Sequence, residues 1–215
     1  MGRSAVASRN RSNTLALAVL VCLHERPMHP YEVASTLRHR QKHESIRLNY
    51  GSLYSVVESL ARRGLIEPRE TEREGRLPQR TIYGLTEAGR QECLDWLSEI
   101  LSTPAKEYPT FEAALSFLPA LPPDEALKLL EERELRLEVW MAQWHGTRDL
   151  VQKRGLPRLF WVEQEFEVAL VEAELAYVRS LCSDIASGTL DGLELWRQIH
   201  DPDGDTPPDL AAEWP

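Results

Sequence analysis

Cysteine is scarce: 215 residues contain three, Cys22, Cys93 and Cys182. They are far apart, odd in number and set in apolar helical patterns. That excludes a disulfide framework and fits buried free thiols in a reducing cytosol. Long hydrophobic runs are missing as well. The stretch Leu15 to Leu23 follows Arg3, Arg9 and Arg11 as the apolar part of a secretory signal would, but it has nine residues, ends at His24-Glu25-Arg26 and lacks a small-x-small cleavage site. It is too short to span a bilayer, so no membrane partner is expected and the run reads as a buried first helix of a cytoplasmic protein. Catalytic signatures are absent too. No glycine-rich phosphate loop follows a strand, no nucleophile elbow occurs, and no Cys/His/Asp grouping has a supporting context, so no catalytic residue and no cofactor is assigned. His39 and His43, with Glu44 adjacent, have the step of helical metal ligands. The helix should be ending there and no third ligand lies nearby, so no metal site is assigned either.

What is present is an uneven charge. The chain carries −9 overall, but residues 1–90 hold 15 Lys/Arg against 9 Asp/Glu (+6) and residues 91–215 hold 10 against 25 (−15). A basic front and an acidic back imply two modules, the front one able to face a polyanion. Overall acidity is therefore no argument against nucleic-acid binding.

The front module is organised around Asn49 to Ile66. Leu53, Val56, Val57 and Leu60 recur at helical steps, Asn49 is an N-cap type, and Gly64 stands where a left-handed residue would end the helix. The opposite face offers Tyr50, Gly51, Ser52, Tyr54 and Ser55, hydrogen-bonding and almost uncharged, beside free N-terminal amides that favour phosphate. Before it, residues 1–12 are expected to be a flexible cationic arm, and helices are expected over about Thr14 to Glu25 and Pro30 to Arg40. Arg38, Arg40, Lys42 and Arg47 make a basic connection between the second helix and the third. After it, Leu65-Ile66-Glu67 and Thr81 to Leu85 read as strands of a hairpin whose tip carries Gly75 and Pro78. Three helices followed by a two-stranded β wing is the order of a winged helix-turn-helix, whose third helix enters the major groove. Arg69, Arg73, Arg76 and Arg80 make the wing a phosphate contact, diluted by Glu70, Glu72 and Glu74.

From Thr86-Glu87-Ala88-Gly89 a fourth helix carries Cys93, Leu94, Leu97, Ile100 and Leu101 on one side. Prolines interrupt the chain to Pro123. A long helix then runs to about Gly146 on a seam of Ala126, Leu127, Leu130, Leu137, Trp140, Met141 and Trp144. A last one repeats Leu159, Val162, Phe166, Ala169, Ala173, Tyr177, Leu181 and Ile185. Two such helices cannot cover themselves, so an antiparallel pair packed on a second subunit is expected, a homodimer. The fold class is mainly α, in four parts: arm 1–12, winged helix-turn-helix 13–102, helical dimerisation and effector domain 103–200, and an acidic tail 201–215 with no base and no fixed structure expected.

Tyr31-Glu32-Val33, Gly51-Ser52-Leu53-Tyr54 with Leu60 and Gly64-Leu65-Ile66, and Tyr83-Gly84-Leu85-Thr86-Glu87-Ala88-Gly89 fall in an order and spacing that resembles the PadR-type transcriptional regulators. The resemblance covers about residues 14–100. Pro30 stands where many members carry Gly, and Ser55 where Pro commonly follows the tyrosine of the third helix. The resemblance implies a homodimeric repressor in a bacterial cytosol, released from a palindromic operator by a small molecule.

The candidate DNA-binding residues are Arg47, Asn49, Tyr50, Gly51, Ser52, Tyr54, Ser55, Arg69, Arg73, Arg76 and Arg80. Two placements of Tyr54 stay open, outward to DNA or inward beneath the wing; Arg62 and Arg63 are backbone contacts or a solvated helix end. Trp140, Trp144, Phe160, Trp161 and Phe166 are packing residues or the lining of a pocket for a small aromatic or hydrophobic effector. Two function classes result: a regulator that binds a pseudo-palindromic double-stranded operator, and a winged-helix module that binds protein without sequence-specific DNA recognition.

Overall fold

The computed structural model describes residues 13–43, 45–72, 80–153 and 155–201, with backbone alone at 70–72, 80 and 149–152. Two compact units divide between Lys106 and Glu107. No described helix is long and apolar enough to cross a membrane.

In the first unit, Asn13 caps α1 (Thr14–Glu25) by accepting the Leu15 N–H at 3.1 Å. Leu15, Val19, Leu20, Cys22 and Leu23 are all buried, which makes α1 the axis of this core. His29, not a usual capping type, accepts the Tyr31 N–H through Nδ1 at 3.1 Å and opens α2 (Pro30–His39). Pro30 sits in the first turn, where its missing N–H is not needed. α2 ends in a Schellman turn: Gln41 N–H donates to Arg38 O and Lys42 N–H to Leu37 O, with Gln41 at φ 57°. The chain thus leaves the helix before His43, and the four-residue step from His39 no longer places two imidazoles on one helical face. Glu44 lies outside the described residues.

α3 (Tyr50–Arg62) buries Leu53, Val56, Val57 and Leu60, as its periodicity requires. It closes with a second Schellman turn, in which Gly64 (φ 69°) donates to Ala61 O and Leu65 to Leu60 O. β1 (Ile66–Glu72) then pairs antiparallel with β2 (Arg80–Leu85), Ile66 opposite Leu85, with an irregularity between Pro68 and Glu70. β2 has a neighbour on its other edge, where Met28 exchanges both backbone hydrogen bonds with Tyr83 at 3.0 Å. One residue between α1 and α2 thereby ties the wing to the helices.

Thr86 caps α4 (Glu87–Ser102), and its hydroxyl, which accepts the Gly89 N–H at 3.0 Å, also reaches the carbonyls of Gly64 and Leu65. The buried face is Gly89, Glu92, Cys93 and Trp96; Leu94, Ile100 and Leu101 of the expected face are exposed. Gly89 sets this rotation. A Cβ there would lie 1.9 Å from the Leu65 carbonyl oxygen, so the helix meets the α3–β1 turn along its glycine side. Glu92 follows it inward and is met by Arg63 at 3.4 Å.

The second unit contains α5 (Thr110–Ser116), α6 (Pro123–Lys153), α7 (Val162–Ser187) and α8 (Leu193–Ile199). α6 and α7 are antiparallel, with Trp144 beside Trp161 and Arg179 paired to Glu134 at 2.8 Å and to Glu138. α6 runs through Gly146 to Lys153, about two turns past the expected stop, since a lone glycine weakens a helix by only about 1 kcal/mol. The face of α7 turned to its own unit is Leu175, Val178, Leu181, Cys182 and Ile185. Val162, Phe166 and Tyr177 of the expected seam are exposed, a second apolar stripe on the same rod, and Leu159, in the turn before α7, is exposed as well. α5 and α8, two turns each, carry too few residues to show a period; α8 is fixed by Trp196, whose indole donates to Leu121 O at 2.7 Å.

Candidate nucleic-acid interface

The outer face of α3 is built by its cap and its core side. Burial of Leu53, Val56, Val57 and Leu60 turns Gly51, Ser52, Tyr54 and Ser55 outward, and all four are exposed. Asn49, also exposed, accepts the Gly51 N–H at 2.9 Å and pins the first turn. Ser55 donates to Gly51 O at 3.2 Å. Tyr54 stands outward at 45% exposure, not beneath the wing. The first turn holds no acid, and Glu58 is the first carboxylate along the helix. A Cβ on Gly51 would meet only Asn49 Oδ1, at 3.5 Å, so the fold itself tolerates a side chain there.

Tyr50 is not a free reader. Its ring stacks on Tyr31 of α2 with centroids 6.4 Å apart and planes 11° from parallel. The Arg38 guanidinium lies 4.3 Å over the same ring and Nη1 donates to its hydroxyl. These two α2 residues are the members of the surface that periodicity alone missed; the seven-residue step from Tyr31 to Arg38, two turns on one face, was the available signal.

Arg47 is exposed in the irregular segment before Asn49, and Arg62 in the last turn of α3. Arg69 is paired with Glu67 at 3.0 Å, its stem lying over Gly84. Arg73 and Arg76 lie outside the described residues, as does the side chain of Arg80, whose backbone pairs with Glu72. Elsewhere in this unit Arg40 forks onto Glu25 (2.5 and 2.7 Å) and Arg26 pairs with Glu32. Those arginines, bonded to the carboxylates, hold Glu25 and Glu32 below the ordinary glutamate range. Burial pushes the Cys22 thiol up to about 11, and Cys93 and Cys182 upward as well, so all three stay protonated and unreactive near neutrality.

Residues 19–95 match the profile of the transcriptional regulator PadR-like family. The N-terminal unit belongs to that family. No curated protein matches the chain. Among solved structures, PadR of Bacillus subtilis in complex with operator DNA is 20% identical at a TM-score of 0.64, covering 80% of this chain and 99% of that one. The same protein in complex with p-coumaric acid is 18% identical at 0.63, covering 84% and 99%. The Vibrio cholerae virulence activator AphA is 13% identical at 0.61, covering 81% and 99%. At such identities the likeness is one of fold: a PadR-type winged helix followed by long helices.

In the second unit of this PadR-like chain a cleft of about 650 Å³ is lined by Phe111, Leu115, Phe117, Leu137, Trp140 and Val171, with Arg133 and Arg136 on its wall. Arg133 lies 3.8 Å over the Phe111 ring and pairs with Glu174 at 2.5 Å. Of the aromatic residues singled out from sequence, Trp140 lines this cleft. Trp144 and Trp161 pair with each other, centroids 6.4 Å apart, and Phe160 and Phe166 are exposed. Among the described residues no three His, Cys, Asp or Glu side chains gather as metal ligands.

Proposed function

We propose that this PadR-type regulator acts as a homodimeric repressor that places the N-terminal half of α3 in the major groove of a pseudo-palindromic operator and lets go when a small apolar or aromatic effector binds. The observation that carries the DNA assignment is the outward, acid-free face Gly51, Ser52, Tyr54 and Ser55 at a helix N-terminus. Hydroxyls at this end serve phosphates and base edges alike, and Gly51 leaves room for a sugar–phosphate backbone to approach. Dimerisation is supported by the apolar stripe on α7, where Phe166 is 66% and Leu170 56% exposed. Covering each such side chain stabilises by about 2 kcal/mol. The effector reading is supported by the aromatic cleft of the second unit and by the p-coumaric acid complex of a fold relative.

The test is operator affinity of Gly51→Val beside its circular dichroism and melting temperature. Lost binding with unchanged folding is expected, because the added side chain has open space within the fold but blocks the approach of DNA. Wild-type affinity in Gly51→Val and in a Ser52/Ser55 double alanine variant together would show that this helix is not the reader, whereas wild-type protein with no affinity for any operator would favour the protein-interaction alternative.

A further inference from the structure

We infer that Arg38 is a phosphate contact of this regulator and that Tyr50 is the residue that positions it, so that the first tyrosine of α3 serves the backbone grip and not the reading of bases. The inference rests on DNA binding by this unit, as proposed above.

Four observations carry it. Tyr31, Ser35 and Arg38 are all exposed and fall at i, i+4 and i+7, one outward face of α2. Tyr50, which opens α3, is laid across that face, stacked on Tyr31 and covered by Arg38. The faces of two successive helices are thereby joined into one surface. The pairing of the unit's cations is the third observation. Arg26, Arg40, Arg63, Arg69 and Arg90 each meet a carboxylate, those of Glu32, Glu25, Glu92, Glu67 and Glu87. A phosphate arriving at any of them must compete with that partner. Arg38 is held by an aromatic ring and a hydroxyl, and among the described residues no carboxylate pairs with it.

The chemistry of the guanidinium is the fourth. Stacking on a ring fixes its plane, and one N–H goes to the Tyr50 hydroxyl. The remaining donors point along the edge of the fork, which is the geometry that accepts two phosphate oxygens. A tyrosine whose ring is stacked on Tyr31 and covered by Arg38, and whose hydroxyl already accepts from that arginine, keeps its hydroxyl hydrogen but is not free to swing towards a base edge. In contrast Ser52, Tyr54 and Ser55, one turn further out, keep their hydroxyl hydrogens or lone pairs available.

The experiment measures affinity of the full-length protein for two duplexes over a range of salt: an operator selected from a random pool by the wild type, and a mixed-sequence duplex of equal length. Arg38→Ala is expected to weaken both alike, by about tenfold or more, and to flatten the log–log salt slope by about 1.8 for a dimer. Tyr50→Ala is expected to shift both duplexes in the same direction, and Tyr50→Phe, which keeps the ring, to lie between it and the wild type. The double variant should be no worse than Arg38→Ala, because the tyrosine acts through the arginine. Arg38→Lys should keep the salt slope while losing affinity, and it replaces Arg38→Ala if that variant melts early.

An unchanged slope in Arg38→Ala, with wild-type binding still steep in salt, overturns the clamp while leaving DNA binding intact. A Tyr50→Ala variant that keeps the slope but loses preference for the operator makes Tyr50 a base reader. Wild-type protein that binds neither duplex overturns both this inference and the function on which it rests.

Discussion

A single methyl group at Gly89 tests how the wing is attached. Its Cβ would lie 1.9 Å from the oxygen and 2.9 Å from the carbon of the Leu65 carbonyl. A carbon–oxygen contact needs about 3.3 Å, so the backbone must open by more than an ångström. No rotamer can relieve the clash, because both sides are main chain. The same carbonyl accepts the Thr86 N–H at 3.1 Å and lies 3.0 Å from the Thr86 hydroxyl, and moving it strains both contacts. Overpacking of this kind costs about 1–3 kcal/mol and each strained hydrogen bond roughly 1 kcal/mol. Helix propensity pulls the other way, since alanine is favoured over glycine by about 1 kcal/mol. Packing wins, and Gly89→Ala should lower stability by about 2–4 kcal/mol. Urea unfolding followed by circular dichroism reads the difference, with Ala88→Gly as the control for propensity alone. Stability of Gly89→Ala equal to or above the wild type would refute the account of what rotates α4 inward.

Three further outcomes are expected. Gln41, a non-glycine residue at φ 57°, is strained, and Gln41→Gly should raise stability by about 0.5–1 kcal/mol in the same unfolding assay; a loss would mean that its side chain contributes more than the strain costs. The Cys22 thiol ionises at 9.0 when free but at about 11 in the folded protein, so the folded form keeps a proton that the unfolded form gives up. Its contribution to stability is complete below pH 9 and is lost as pH rises through about 11, a fall on the order of 2–3 kcal/mol that Cys22→Ala should not share; parallel pH profiles for the two proteins would sink the assignment. Charge placed on the exposed apolar stripe, Phe166→Glu with Leu170→Glu, should convert a sedimenting dimer to a monomer without loss of helix content, and a firm dimer in that variant would place the subunit contact elsewhere.

Much of the first unit was legible because its determinants are local. Asn49, the four buried residues of α3, and Gly64 lie within sixteen positions of one another, and a cap, a period and a left-handed stop act through neighbours in sequence. The hairpin followed from the turn chemistry between two short apolar runs. The misses share the opposite property. The face of α4 is set by Gly89 against Leu65, twenty-four residues upstream. The bridge from Met28 to Tyr83 spans fifty-five positions and involves backbone groups that any residue carries. On α7 the chain offers two apolar stripes, and periodicity cannot say which one its own unit covers.

The same distinction governs the candidate site. From sequence, Tyr50 belonged with Ser52, Tyr54 and Ser55 as one polar face, since all sit near the start of one helix. In the fold a neighbour from α2 claims it, and this divides the surface by role. Among the described residues Arg38, Arg47 and Arg62 are cations of the first unit that meet no carboxylate. They flank α3, one beside its first turn, one before its cap and one in its last turn. Between them the outward residues of the N-terminal half are uncharged. Cations at the flanks fix position on a phosphate backbone without regard to sequence, and neutral hydroxyls between them meet whatever base edges that position presents. Affinity should therefore be set mainly by the flanks and discrimination by Ser52, Tyr54 and Ser55. Arg47→Ala or Arg62→Ala should weaken operator and mixed-sequence DNA by the same factor, whereas Ser52→Ala with Ser55→Ala should narrow the gap between them at unchanged salt slope. The reverse pattern would mean that the arginines reach bases and that the uncharged face is spacing alone.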